Sequence, residues 1–303
     1  MGERCSGPGS TGLPRRGISG LVLLLLLAAW SVRQAGEAEE RLPDPEDGVM
    51  AAHAYANRYF GITYPFARNW KQGIAGPQPS ADGYYVLGAV DSADGVSGNL
   101  LIAAQDMFFS PQPLNDALAL VTATRQTMAA LPGMQIDREP IAVSVAGRAF
   151  GRVDYSGVGL YRSMLATEIR CHLVSFVATA NDPAVLEQAI TSLDHLSLPP
   201  ETSERSTGDP GSPVCIKDYA TRDTVLRRVE PRPAAPYFTR IAVRIIVGTD
   251  GGVAHVHVIK ASDEQRKNIA DALAQWRIKP LQVNGEAIAV ETGLVFEFKP
   301  AAH

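Results

Sequence analysis

Apolar and polar positions along the chain follow two periods: two-residue alternation in many short runs, and helical spacing in a few longer ones. Tyr59 to Tyr64, Tyr84 to Val90 and Asn99 to Met107 read as strands. Pro65 stops the first, and the turn residues Asp91 to Gly98 part the other two. Leu114, Leu118, Val121, Met128 and Leu131 recur at helical spacing after Asn115-Asp116, which predicts a helix over 114–131. Ile141 to Val145 and Phe150 to Tyr155 flank Ala146-Gly147-Arg148 as a hairpin, and Leu165 to Ile169 and His172 to Ala178 are rich in β-formers. Asp182 suits the cap, and Pro183 the first position, of a second helix with Val185, Leu186, Ala189, Ile190 and Leu193 on its apolar face. Further on, Ile241 to Val247 and Val253 to Ile259 pair around Thr249-Asp250-Gly251-Gly252. Ser262 and Gln265 form a capping-box pair ahead of a helix bearing Ile269, Leu273 and Trp276, which Pro280 stops. Asn284-Gly285 is a tight turn, and Leu294 to Phe298 a closing strand. Short turns between strands, rather than crossover helices, predict an α+β fold: an antiparallel sheet with packed helices, then a small sheet with one helix across it.

The elements fall into blocks. In residues 1–36, Arg15-Arg16 precede an uncharged stretch from Gly17 to Val32 with Leu23 to Leu27 at its centre. Sixteen residues fall short of the ~20 of a spanning helix, so the block reads as a signal peptide, cleaved near Ala29-Trp30-Ser31 or Gly36-Glu37-Ala38. The alternative is an uncleaved inner-membrane anchor. Either way the remainder is expected to be exported, periplasmic or secreted. Residues 37–48 are acidic and Pro-containing and read as a tether, 49–198 as the first domain, 199–213 as a Pro- and Ser-rich linker, and 214–303 as the second domain. Separate folding of the two domains is the expectation, since the linker has almost nothing apolar.

Charge follows the same division: the balance is +3 over residues 1–36, −10 over 37–213 and +3 over 214–303. A net charge of −4 argues against a nucleic-acid partner. Of the three cysteines, Cys171 and Cys215 lie beyond the export segment, as a candidate disulfide or as two free thiols. His255 and His257 alternate on one strand and face one side, but two nitrogens without a further ligand make no metal site, and a solvent-facing pair is the expectation. Gly95 to Gly98 lacks the lysine of a phosphate loop, and Tyr155-Ser156-Gly157 lacks the first glycine of a nucleophile elbow. Arg222, Arg227, Arg228, Arg232, Arg240 and Arg244 read as a solvated basic face. The chain is therefore read as a non-enzyme, with neither cofactor nor metal.

Two resemblances refine this. Tyr59-Phe60-Gly61-Ile62-Thr63-Tyr64-Pro65 followed by Asn69-Trp70, and Ser175 to Ala180 ahead of Leu186 to Leu193, resemble the PsbP-like and DcrB-like α/β sandwiches over about residues 50–198. That group has no common catalytic set. Asp250-Gly251-Gly252-Val253, Ala272-Leu273, Trp276-Arg277-Ile278-Lys279-Pro280, Asn284-Gly285-Glu286 and Val295-Phe296-Glu297-Phe298 resemble the C-terminal domain of TonB-family proteins over about residues 225–299. The chain has no long Pro-rich spacer, and its apolar segment lacks the family's motor-coupling histidine, so the resemblance implies a binding module rather than an energy transducer. It also implies recognition by strand addition of an envelope protein. The candidate edge is Leu294, Val295, Phe296, Glu297 and Phe298, with Leu294, Phe296 and Phe298 facing the core and Val295 and Glu297 opposite. The alternative is a small-molecule or lipid carrier with an apolar pocket in the PsbP-like domain.

Overall fold

Alternation builds a sheet buried on both sides in the first half of the chain. In the computed structural model, residues 42–298 are described except 52, 67–68, 113, 201–212, 233 and 235–237. The export segment and most of the linker therefore lie outside the described residues. Contacts divide the chain after Leu42, and every element below belongs to the unit that starts at Pro43.

Three short strands open it: β1 (Gly48–Met50), β2 (Ala54–Asn57) and β3 (Ile62–Pro65). Seven more follow: β4 (Trp70–Ala75), β5 (Tyr84–Ser92), β6 (Gly98–Asp106), β7 (Met134–Val145), β8 (Arg148–Gly157), β9 (Leu160–Ile169) and β10 (His172–Ala180). They form one antiparallel sheet in the order β4-β5-β6-β10-β9-β8-β7. Helix α1 (Ala117–Ala129) is capped by the Asp116 carboxylate and lays Val121 on Val153, Met164 and Ala166. The alternate side chains, Phe150, Leu165 and Phe176, point to the other face. There they meet the aromatic residues of β2 and β3 and helix α2 (Pro183–Ser192), capped by Asp182 with Pro183 in its first turn. One sheet between two covered faces explains the dense apolar alternation.

The C-terminal lobe is smaller. Its strands are β11 (Val214–Cys215), β12 (Val225–Arg227), β13 (Arg240–Val247), β14 (Val253–Val258), β15 (Arg277–Ile278), β16 (Leu281–Val283), β17 (Glu286–Ile288) and β18 (Val290–Glu297). A four-stranded sheet runs β11-β18-β13-β14, with β11 parallel to β18 and the other neighbours antiparallel. Helix α3 (Asp263–Leu273) starts at the Ser262–Gln265 capping box and buries Ile269 and Leu273 with Trp276 and Phe296 against Ile241, Val243 and Ile245. The opposite face of this sheet carries Ala242, Arg244 and Glu291 and packs on the N-terminal lobe, whose core takes in Ala242 and Ile259.

The α+β class is as expected, with local differences. Tyr59 to Gly61 form a turn rather than a strand, because Gly61 adopts a left-handed φ of 64°. β7 starts at Met134, well before the apolar run, since an edge strand tolerates the polar stretch Asp137-Arg138-Glu139. Part of the acidic segment read as a tether is folded: His255 Nε2 lies 3.0 Å from an Asp44 carboxylate oxygen, and His257 Nε2 lies 3.0 Å from one of Glu46. His257 is buried rather than solvent-facing, because that segment covers it.

Candidate functional site

The register of β18 determines which of its backbone groups are available. Val214 N–H donates to the Ala289 carbonyl and Ile216 N–H to that of Glu291, so odd-numbered positions point away from β13. β11 pairs only with Val290 and Glu291. Beyond it, the outward N–H and C=O groups of Gly293, Val295 and Glu297 have no strand partner among the described residues. Tyr219 N–H donates to the Thr292 hydroxyl, and further residues of this segment, Asp218, Ala220, Thr221 and Arg228, line the groove beside the edge without a strand pairing to it. A groove of about 320 Å³ runs beside it, lined by Phe108, Phe109, Arg228, Trp276, Val295 and Phe296 among others. Leu294, Phe296 and Phe298 pack with the α3 core, while Val295 is 42% exposed and Glu297 faces outward. This lobe thus presents an open strand edge above a groove in which four aromatic rings stand beside the polar residues Asp218, Thr221 and Arg228.

A second constellation lies in the seam between the lobes. Arg244 occupies the middle of β13 and is only 2% exposed. Its guanidinium contacts Asp106 at 2.7 Å and Glu291 at 3.1 Å, and lies 4.3 Å over the Phe108 ring. Glu291 also accepts from the Tyr59 hydroxyl at 2.8 Å and from Arg170 at 3.1 Å. Burial alone would push the Glu291 carboxyl up, yet Arg244, Arg170 and the Tyr59 hydroxyl hold it below the usual carboxylate range. For Asp106 burial prevails over Arg244, and its carboxyl is raised. Burial, with Arg244 beside it, holds His172 well below its ordinary value, so the ring is neutral. His172 Nδ1 lies 2.8 Å from the Arg170 carbonyl, which assigns the proton to that nitrogen. Gly293 belongs to this seam: a Cβ there would stand 2.9 Å from Cβ of Phe108 and 3.0 Å from the Phe109 ring.

The turn that delivers Arg170 is itself unusual. His172 pairs with Ile169, leaving a two-residue connection whose members, Arg170 and Cys171, both have positive φ, 48° and 54°. Such turns favour Asn and Gly. Left-handed backbone costs an ordinary residue on the order of 1–2 kcal/mol, so the turn is held by the contacts it makes. Cys171 and Cys215 are both free thiols, each half-buried. They line a cleft of about 490 Å³ that also includes Phe150, Leu118 and four charged residues, Asp116, Arg148, Glu168 and Arg170.

The sequence-predicted site residues are thus brought into two places. Leu294 to Phe298 form the open edge, and Cys171 and Cys215 meet at the seam. The ion cluster was missed, because Arg244 reads as one of six surface arginines. Its position inside Ile241-Ala242-Val243-Arg244-Ile245-Ile246-Val247 was the available signal, since a charge flanked on both sides by apolar residues in a central strand has to be paired. Of the other five, Arg240 pairs with Asp82 of the N-terminal lobe and Arg228 with Glu230, both at exposed positions. Ser156 donates to Asp137 on the surface, while buried Asp154 accepts from Ser163, from Arg152 and from the exposed Arg138. Among the described residues no group of three or more His, Cys, Asp or Glu side chains is arranged to hold a metal. No described helix is long and apolar enough to cross a membrane.

An α+β chain with a seven-stranded N-terminal sheet and a small C-terminal sheet crossed by one helix is the class these features define. The two likenesses read in the sequence both recur among solved structures. Over 50% of its length the chain is similar to cyanobacterial PsbP (CyanoP) from Synechocystis sp. PCC 6803, at 14% identity, a TM-score of 0.34 and 95% coverage of that chain. Over 26% of its length it is similar to the C-terminal domain of Pseudomonas aeruginosa TonB, at 22% identity, a TM-score of 0.23 and 87% coverage of that chain. LpqN of Mycobacterium tuberculosis, involved in cell envelope biogenesis, is similar over 46% of this chain and 83% of its own, at 14% identity and a TM-score of 0.33. No protein-family model matches the chain, and no curated protein does.

Proposed function

We propose that this chain is an exported, non-catalytic protein of the cell envelope that binds a partner by adding the partner's extended segment to the outer edge of β18. The observation that carries the reading is the run of outward backbone groups at Gly293, Val295 and Glu297, left open where β11 ends. Backbone pairing supplies affinity whatever the partner's sequence, and the groove under the edge sets preference. Phe108, Phe109, Trp276 and Phe296 line that groove together with Asp218, Thr221 and Arg228, which suits a partner strand whose groove-facing positions carry both apolar and polar side chains. Export follows from Arg15-Arg16 and the apolar run from Gly17 to Val32. A carrier role is less well supported, because four charged side chains line the 490 Å³ cleft.

The test exploits the register. Val295 N–H points away from β13, so Val295→Pro removes one outward donor and leaves the ladder to β13 intact. Immobilised wild-type chain and the Glu297→Ala variant are expected to retain the same envelope proteins from an extract, and Val295→Pro to lose them. Equal retention by a folded Val295→Pro variant would overturn strand addition.

A further inference from the structure

We propose that Cys171 and Cys215 form a disulfide that latches β11 to the β9–β10 turn and so ties the two lobes together covalently. The pair is a built juxtaposition. Cys215 is fixed by its neighbours, since Val214 N–H and Ile216 N–H both donate to the β18 backbone. Cys171 is fixed from the other lobe, where its carbonyl accepts from Met107 N–H. The residues beside them already meet: Arg170, next to Cys171, bonds the Glu291 carboxylate, and Glu291 is the register partner of Cys215. Between those anchors the two half-buried side chains line one cleft and pack against the same apolar core.

The turn supports the assignment from a separate direction. Arg170 and Cys171 are both non-glycine residues in left-handed backbone, in a hairpin connection that asparagine and glycine would make with less strain. Arg170 answers for half of that choice through Glu291 and through the Tyr59 ring, over which its guanidinium lies at 4.0 Å. A thiol facing Cys215 answers for the other half. The latch also gives the linker a fixed far end, because the closed loop from 171 to 215 contains residues 199–213.

The chemistry is an exchange with a disulfide oxidant, such as glutathione disulfide or a dithiol oxidase. One thiolate attacks the oxidant's S–S bond, giving a mixed disulfide and releasing one thiol. The second cysteine then displaces the remaining thiol, so two cysteine thiols are oxidised and one oxidant disulfide is reduced to two thiols. The Cys171 thiol and burial hold Cys215 well above the ordinary thiol range, so little thiolate exists in the folded state.

The proposal needs an oxidising compartment in the cell, but the test does not depend on localisation or on strand addition. Full-length chain carrying Cys5→Ala is refolded from the reduced, denatured state in a mixture of reduced and oxidised glutathione. It is then alkylated with iodoacetamide and mapped by peptide mass. The expected product is one peptide pair joined through Cys171 and Cys215, separated by reductant. Its Tm is expected to fall by roughly 5–15 °C on reduction, while a Cys171→Ala/Cys215→Ala chain shows no reductant-dependent change. Should refolding fail, natively extracted reduced chain treated with the same couple under slow heating gives the same readout. Two alkylated or two glutathionylated cysteines in the folded chain, or a Tm indifferent to reductant, would overturn the latch.

Discussion

Arg244 and Glu291 are buried and each meets two opposite charges, and this makes the seam sensitive to single side-chain losses. Glu291→Ala leaves Arg244 with Asp106 alone and removes the ion-pair partner of Arg170, so a loss of about 3–5 kcal/mol is expected in denaturant unfolding. Arg244→Met removes the ion-pair partner of Asp106 and leaves Glu291 with Arg170 and the Tyr59 hydroxyl, and should cost as much, whereas Arg244→Met with Asp106→Leu should cost less than the single changes added together. Additive losses would mean that the pair is not coupled. His172 sets the pH dependence. Its pKa in the folded chain lies well below the ordinary value of about 6.5, so near pH 6 the unfolded chain binds a proton that the folded chain refuses. The stability it contributes is complete above about pH 6.5 and is lost as pH falls towards the folded value. Glu291, lowered, adds a loss at more acidic pH, and Asp106, raised, acts in the opposite sense, its contribution fading as pH rises through its folded pKa. Thermal melts between pH 7.5 and 5.5 should therefore show a falling Tm that is flatter in His172→Asn. An unchanged slope in that variant would take His172 out of the account.

Elements were legible where their signals were local. The Asp182 cap, the Ser262–Gln265 box and the Asn284-Gly285 turn are written in two to four residues and stand where expected, whereas the helix expected over 114–131 runs only from Ala117 to Ala129, because the Asp116 carboxylate caps it after Leu114. Strand ends were less legible, because pairing and not propensity decides them: β18 begins at Val290, whose partners Val214 and Val247 lie far away in sequence. The open edge was legible as a strand from its own pattern, and as an edge only through the TonB-family resemblance; how much of it β11 leaves open was not legible, since the two-residue β11 has no pattern of its own. Nor could spacing reveal that Cys171 and Cys215 meet, because their approach depends on how two lobes dock. The alternation along β18 yields a sharper expectation than its composition does. Leu294 N–H points to β13 and Val295 N–H away from it. Leu294→Pro should therefore unfold or strongly destabilise the C-terminal lobe, by about 3 kcal/mol or more, while Val295→Pro keeps its circular dichroism spectrum and melts within a few degrees of wild type. Similar damage from both would show that the outward face of β18 is already engaged.

At the scale of the whole molecule, the linker and the seam make opposite demands. Residues 199–213 have the composition of a segment that lets two domains move and fold apart. The seam buries Arg244, Glu291, Asp106 and His172 together, and a lone C-terminal lobe would have to expose Ala242 and hydrate two charges held for partners it no longer has. Separating the lobes regains solvation of the charges but loses their mutual attraction and the apolar contacts around Phe108 and Gly293. Exposed pairs such as Arg240–Asp82 add little to this balance, about 1 kcal/mol or less. The lobes are therefore expected to open together, despite the linker. Native-state hydrogen exchange reads this directly, because amides of β9 and β10 report the N-terminal lobe and those of β13 and β18 the C-terminal one. In wild type the most protected amides of both groups should share one opening free energy. In Glu291→Ala the β13 and β18 amides should drop below those of β9 and β10, as the seam gives way before either core does. Two unequal values in wild type, insensitive to Glu291→Ala, would mean that the lobes are held side by side without being coupled, and that the linker composition is the better guide.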